Sequence, residues 1–339
     1  MQELPNDRMR LAVPEARELS VRAVRATGYD EDDARVIAEH VLEAALCGYE
    51  YSGLAKILNI VDNPRFGNPR RPMSILRESA ASLLYDGGNN NGMLAIYRAA
   101  QAAVDKAQQH GIALVGVNNT WMSGRSAHYV EFLARAGLVG IHSVSASHAV
   151  APHGGARAAL GTNPIAFGFP TEHDPLLIDM GTSAFMGTDL KFRLRLKELL
   201  PEGVALDANG KPTRDPALAL LGAILPFGGH KGFGLALAMD ALGVLAGSGY
   251  ASDKANGYII VAIKPELFLP LPDFKRHMSE TIARIKATPL QAGFDSIRIP
   301  SERAYAERAR NLREGIVIDR KIYDALHELI RSANPNSTH

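Results

Sequence analysis

From residue 82 to residue 265 the chain alternates short apolar runs with helical patterns, and this alternation limits the fold more than any other feature. SLLYDGGNNNG reads as a short strand and turn, followed by the helical stretch MLAIYRAAQAAVDKAQQHG, which stops at Gly111. IALVGVNN (112–119) reads as a buried strand, AHYVEFLARAG as a helix and LVGIHSVSAS as a strand. After a glycine-rich loop come the strand PLLIDM, the helix KGFGLALAMDALGVLAG and the strand GYIIVAIKP. Interleaved periods of two kinds predict an α/β fold, with helices covering a sheet.

Two helices precede this region. Pro14 opens PEARELSVRAVRATG and Gly28 closes it, proline inside the start and glycine past the end. In DEDDARVIAEHVLEAALCG the acidic residues 30–33 meet the positive end of the helix dipole, and Val36, Ile37, His40, Val41, Ala44 and Ala45 share one face. NPRFGNPRRP (63–72) predicts an extended connection within one unit. No internal repeat or low-complexity tract occurs, and the tail RSANPNSTH reads as frayed.

The 339 residues, 46% hydrophobic, are enough for one large domain or two lobes. With 37 basic against 36 acidic residues, spread evenly to a net +1, there is no electrostatic footprint for nucleic acid or an anionic membrane. The expected partner is a small molecule. A single cysteine, Cys47, excludes an internal disulfide framework and fits a reducing compartment. MQELPNDRMR is too polar for a signal-peptide core, and no apolar run approaches the roughly 20 residues that span a bilayer, so a cytoplasmic location is expected.

Neither G-x-G-x-x-G after a strand nor G-x-x-x-x-G-K-[ST] is present, so a nucleotide would need another architecture. Three glycine-dense loops remain. DGGNNNG (86–92) predicts a tight turn and a helix cap. PHGGARAALGTNP (152–164) offers freed backbone amides, a Thr hydroxyl and an Asn amide that suit a carboxylate or amide; a long ordered connection accounts for it equally well. PFGGHKGFG (226–234) places Lys231 in the first turn of an apolar helix, against the helix dipole, where it suits a pyrophosphate; a solvated lysine is the alternative. The histidines lack metal-ligand spacing, Cys47 stands alone, and no G-x-S-x-G elbow occurs, so no metal site and no serine hydrolase is expected.

GTNPIAFGFP (161–170), DMGTSAF (179–185), LPEGVALDANGKPTRDP (200–216) and LPFGGHKGFGLAL (225–237), in this order, resemble the malate/L-lactate dehydrogenase family of NAD(P)H-dependent oxidoreductases. The resemblance runs from about residue 14 to 320. EHDP, LPEG with DANGKPTRDP, and LPFGGHKG look closest to the branch of Δ1-piperideine-2-carboxylate/Δ1-pyrroline-2-carboxylate reductases, which act on cyclic ketimines. The resemblance implies a non-Rossmann nucleotide-binding lobe around a mixed sheet (76–294). It also implies a helical lobe formed by both chain ends (1–75 and 295–339), and a homodimer. NADPH or NADH would pass hydride to C2 of a small carboxylate-bearing substrate, leaving the protein to position the reactants and move one proton. Carried over by motif, Lys56 and Thr162 are expected to bind substrate, and Ser123, Gly124, Ser147, Asp179, Met180, Gly181, Lys231, Glu302 and Arg303 the cofactor. Lys191, Arg193 and Arg195 are open as partners of an NADPH 2′-phosphate.

Family members usually carry S-H-G-x-x-R at the end of the second helix, the His donating a proton and the Arg holding the carboxylate. In GYEYSGLAK (48–56) the matching residues are Tyr51, Ser52, Gly53 and Lys56, and Met122 replaces a second family histidine. Lys56 keeps the charge without the bidentate fork. Three readings follow. Asp189, matching the catalytic Asp of the ketimine-reductase branch, works with Tyr51 and Ser52 as a hydroxyl relay; His148 supplies the proton; or the chain binds cofactor without catalysis. Structural roles stand beside these: Tyr51 as an amphipathic filler, Ser52 as a cap on the next helix, His148 as a hydrogen-bonded structural residue, and Asp189 as a charge pair with its basic neighbours.

Overall fold

The structure, a computed structural model, describes residues 2–249 and 256–333. In chain order the elements are β1 (Gln2–Leu4), β2 (Arg8–Leu11), α1 (Val13–Arg25), α2 (Glu31–Leu46), α3 (Ala55–Val61), β3 (Ser74–Glu78), β4 (Ser82–Asp86), α4 (Gly92–His110), β5 (Ile112–Asn118), α5 (Ser126–Arg135) and β6 (Val139–Ser145). There follow β7 (Ile165–Phe169), β8 (Leu176–Met180), α6 (Gly187–Leu196), β9 (Ala205–Leu206), α7 (Pro216–Leu221), β10 (Ala223–Ile224), α8 (His230–Leu245), β11 (Gly257–Ile263), α9 (Leu271–Lys286), α10 (Glu302–Glu314), β12 (Ile316–Asp319) and α11 (Arg320–Ala333).

The helix ends follow local chemistry. Asp30 caps α2 by accepting from Asp33 N at 2.9 Å, with Glu31, Asp32 and Asp33 in the first turn. Asn91 caps α4 through Met93 N at 2.9 Å, so GGNNNG makes the turn and cap expected of it, and Gly111 ends the helix at φ +85. The segment 63–72 is turned where an extended path was expected: Phe66 N donates to Asn63 O at 2.9 Å and Asn68 N to Arg65 O at 3.1 Å. Asn89 Nδ2 holds it by donating to Asn68 O at 3.0 Å. The tail read as frayed falls, from residue 334 on, outside the described residues; 331–333 end α11.

Seven strands form one mixed sheet in the order β3-β4-β5-β11-β6-β7-β8, antiparallel throughout except for the parallel pair β4 and β5. The α/β fold read from the alternating periods is the fold observed. Strand alternation gives the sheet two faces. Ala113, Val115 and Val117 of β5, with Tyr258, Ile260 and Ala262 of β11, pack under the alanine-rich side of α4 and under Tyr129 and Leu133 of α5. Gly116 and Ser145 point the other way, to Ala246 and Gly243 at the end of α8. A Cβ at Gly243 would stand 2.2 Å from Ser145 Cβ, so this glycine sets how closely α8 approaches the sheet.

A second core joins the two chain ends. β12 completes a small sheet in the order β1-β2-β12, and Met9, Leu11, Ile316, Ile318, Ile322 and Leu326 bury against α1, α2 and α3. α6 links this second core to a third: its Phe192 belongs to the second, and its Leu190 packs with Val150, Leu160 and Leu200. Arg308 of α10 is locked to Glu131 of α5, at 2.8 and 2.7 Å, and to Glu43 of α2. β7, α6 and the small sheet were absent from the period-based reading. Among the described residues no helix is long and apolar enough to cross a membrane.

Leu326 is fully buried although it stands thirteen residues from the last residue, so Leu326→Ala should destabilise the protein by about 3 kcal/mol, read as a lower midpoint in urea with the slope unchanged.

Candidate active site

The stretch between α2 and α3 is shaped by two glycines. Gly48 holds φ +76, and Gly53 lies against α2 so closely that a Cβ there would sit 2.8 Å from Ala45 Cβ. One turn of 3-10 helix, Glu50–Ser52, is thereby folded back over the end of α2 and displays Tyr49 and Tyr51. Their rings meet edge-on at 6.2 Å. The Tyr49 ring has two guanidinium neighbours, Arg303 at 4.7 Å and Arg125 at 5.1 Å.

Lys56, on the first turn of α3, is only 4% exposed. Its Nζ donates to Thr188 Oγ1 of α6 at 3.0 Å and, among the described residues, meets no carboxylate in an ion pair. Burial, with a smaller contribution from Lys191, pulls the ammonium down from 10.5 to about 8. Ser52 is 8% exposed, and its Oγ has no hydrogen-bond partner among the described residues. It is not the cap of α3, whose N-cap position is Leu54, without a side-chain bond. Burial, then the negative side of Tyr49, Asp189 and Asp179, lifts the Tyr51 phenol to about 12, against a lowering pull from Arg303.

Asp189 follows Thr188 in the first turn of α6 and is half-buried. Burial raises its carboxyl, while Arg193, at 3.5 Å, opposes that. The charge pair with a basic neighbour is therefore present, and it stands beside Tyr51. Asp179 at the end of β8 accepts from Ala127 N at 2.7 Å, so it caps α5 from outside the helix. Protein surrounds it densely and raises its carboxyl, against the pull of that N–H and of Arg125, yet solvent still reaches it along the open face.

The loops after β6, β8 and β10 converge. Thr182 donates from N and Oγ1 to Thr162 O at 3.0 and 3.1 Å, and Phe227 N donates to Thr182 O at 3.0 Å. Thr162 and Gly181 are thus held side by side, with the start of α8 adjoining. Asn163 is not available to a ligand. Its Oδ1 accepts from Ala146 N at 2.9 Å, and its Nδ2 donates to Ala236 O and Asp240 Oδ1 at 2.9 and 2.8 Å. Lys231 is exposed at the head of α8 with no partner among the described residues.

The structure gathers Tyr51, Ser52, Lys56 and Asp189, and brings Asp179 and Arg303 within electrostatic reach of Tyr51. Ser123 and Gly124 lie just before α5, the Ser123 carbonyl accepting from Tyr129 OH and Gly124 at φ +78 against His40. Met180, beside Asp179, is 37% exposed. Other expected residues fall elsewhere. His148 is exposed, with no hydrogen bond to a described residue and none that ties it to Tyr51, Lys56 or Asp189. Ser147, beside it, bonds Asn256 Oδ1 at 3.2 Å. Glu302 pairs with Lys286 and accepts from Ile299 N at 3.1 Å, lining a cleft of about 630 Å³ between α9 and the β7–β8 turn. Arg195 is bound to Asn59 and Asp62, and Arg193 to Asp189 and Glu198, so among the described residues Lys191 alone of those three cations stands free of an ion pair. Tyr49, Arg125 and Thr188 were not singled out from the sequence. For Arg125 the signal existed: like Lys231, it is a cation at the head of a helix.

A buried cation with no ion pair among the described residues, near a raised carboxyl and hydroxyls at the junction of two cores, is an arrangement that suits a small anionic molecule. The chain belongs to the malate/L-lactate dehydrogenase family, whose model matches residues 11–327, and it is an oxidoreductase of the class acting on 2-substituted carboxylates. It is 32% identical to the L-sulfolactate dehydrogenase of Methanocaldococcus jannaschii, covering 94% of this chain and 96% of that one. It is 31% identical to a Δ1-pyrroline-2-carboxylate reductase of Burkholderia multivorans, covering 96% and 99%. The crystal structure of a dehydrogenase from Sinorhizobium meliloti, 30% identical, superposes with a TM-score of 0.86 over 95% of this chain and 98% of that chain.

Holding Lys56 charged in its buried position costs about 3 kcal/mol relative to water. That penalty is fully present below pH 8 and fades as pH rises toward 10.5, where the unfolded chain also loses the proton. Lys56→Met should therefore stabilise the ligand-free protein by about 1–3 kcal/mol at pH 7. The gain should shrink between pH 8 and 10.5 when denaturant melts are run across that range.

Proposed function

We propose that this chain is an NAD(P)H-dependent reductase of a C=N or C=O bond α to a carboxylate, with a cyclic ketimine such as Δ1-piperideine-2-carboxylate or Δ1-pyrroline-2-carboxylate as its first substrate class. The observation that carries the reading is Lys56, a buried ammonium lacking a counter-ion, which a substrate carboxylate would complete. Thr162 orients the substrate from the facing loop. Asp189, Tyr51 and Ser52 form the polar wall around the reacting carbon. A ketimine suits this wall because an iminium arrives carrying its own proton. A 2-oxo acid is the second reading, favoured by the likeness to the sulfolactate dehydrogenase.

The chain's own residues fit a dinucleotide. Gly228 and Gly229 hold φ +56 and +62 at the N-terminus of α8, with Lys231 free beside them, which suits a pyrophosphate. Arg303, exposed over Tyr49, is a second cation for the nucleotide, and Asp179 to Gly181 with Ser123 and Gly124 form the intervening surface. When bound, the nicotinamide supplies hydride to C2. A homodimer belongs to the same proposal. α8 is apolar all round, yet Leu237, Val244 and Leu245 are 56%, 64% and 64% exposed, a face that a second copy would bury. The helical unit 1–75 with 295–339, and the nucleotide-binding unit 76–294, are proposed as working lobes.

Cofactor oxidation with the two cyclic imines, pyruvate and oxaloacetate should show the imines turned over fastest; keto acids without imines would reject the ketimine reading, and clear NAD(P)H binding without turnover would favour a pseudoenzyme. Asp189→Asn should lower kcat by about 10²-fold, whereas His148→Gln should leave it within about 2-fold. Val244→Arg should shift the protein toward monomer in analytical ultracentrifugation.

A further inference from the structure

We propose that Lys56 is the proton donor of the reaction as well as the anchor of the substrate carboxylate: one ammonium, held by a single hydroxyl and facing no carboxylate, stands where both tasks meet. The inference rests on the reductase reading above and assigns a further role within the same site.

Three other proton sources are worse placed. Tyr51 is pushed to about 12 and holds its proton at neutral pH. Asp179 accepts from the helix amide of Ala127. His40 is 1% exposed; its Nε2 accepts from Arg125 N at 2.8 Å, which keeps the ring neutral and turned to the backbone. Burial holds His40 well below its ordinary value, with His128, Lys56 and Arg125 adding to that. Thr188 of α6 bonds Lys56 directly, and Lys191 of the same helix and His40 of α2 lie within electrostatic reach of it. On the far side α1 and α11 meet α3 through Leu19, Ala23, Leu326 and Ile330. Asp62 and Asn59, on its own helix, are bound to Arg195. Nothing anionic fixes the ammonium proton, and burial loosens it toward neutrality.

An ammonium has three N–H donors. One engages Thr188 Oγ1, leaving two for the substrate. In a planar 2-oxo acid the C2 oxygen and one carboxylate oxygen lie syn, so a single cation bridges both; the imine nitrogen of a cyclic ketimine occupies the same place. As C2 gains hydride and its C=O π bond breaks, one N–H bond of Lys56 breaks and an O–H bond forms. The neutral amine then regains a proton from water. With a cyclic ketimine bound as the neutral imine, an N–H bond forms on the ring nitrogen as the Lys56 N–H bond breaks and C2 gains hydride, giving the amine; one that arrives as the iminium needs no donor. A guanidinium at this position would bind the carboxylate but not release a proton.

The test uses a 2-oxo acid that the wild type turns over, or a cyclic ketimine assayed at a pH where it is the neutral imine. Lys56→Arg should keep KM within about 10-fold and lower kcat by at least ~100-fold. The wild-type rate should fall above pH 8, and this limb should vanish in Lys56→Arg. Thr188→Val removes the acceptor that favours the charged amine and should move the limb to lower pH. Independently of activity, 13C-NMR of ε-labelled lysine should contain a resonance titrating at about 8 that is absent from Lys56→Arg. Retention of a third or more of kcat in Lys56→Arg, or a Lys56 midpoint above 10, would overturn the proposal. If Lys56→Arg does not fold, an unmoved limb in Thr188→Val does the same. A wild type that turns over none of the four substrates, while the resonance still titrates at about 8, would overturn the reductase reading and the catalytic role with it, leaving only the loosened ammonium.

Discussion

A buried ammonium without a carboxylate partner is the constraint on which this site is organised. Removing such a charge from water is unfavourable by several kcal/mol unless something compensates, and the fold supplies only one hydroxyl, from Thr188. The position is held by its surroundings. Ile57 and Ile60 anchor α3 in the core built from both chain ends, and Arg195, bound to Asn59 and Asp62, fastens α6 against it. The protein maintains an unfavourable electrostatic position with apolar packing on one side and an ion pair on the other, which is how binding sites for anions retain their charge.

Close approach does much of the remaining positioning, and it depends on residues with little or no side chain. Gly53 lets the 3-10 turn carrying Tyr51 and Ser52 lie on α2, and Gly243 lets α8 settle onto β6. Asn163 then ties the end of β6 to α8. These contacts bring the loops after β6, β8 and β10 together, so Thr162 and Gly181 adjoin the start of α8 although about 70 residues separate the ends of that set. The Arg308–Glu131–Glu43 group extends the arrangement to α10, and so places Arg303 over Tyr49.

Most of the sheet was legible because β4, β5, β6, β8 and β11 are apolar runs bounded by turn residues, and α4, α5 and α8 carry helical signals and end near glycines. β7 escaped notice because IAFGF is short and follows the glycine loop directly. α6 escaped for a different reason. KFRLRL alternates charged and apolar residues with a period of two, and the helix exists because Phe192 and Leu190 reach two different cores. Ser52 as a cap was a reasonable local reading, and it fails because α3 starts later, with Leu54 at its N-cap position.

The sequence by itself determined the α/β class, the helix ends, and the family motifs that single out Lys56, Thr162 and Asp189, since these depend on periodicity, caps and short ordered phrases. Only the tertiary structure decided that Lys56 is buried and unpaired, that Thr188 is its partner, that Tyr49 lies between Arg125 and Arg303, and that Glu302 faces away toward α9. The physical reason is that burial and electrostatic environment are set by contacts between residues 132 apart in the chain, as for Lys56 and Thr188, and no local pattern encodes the distance between them.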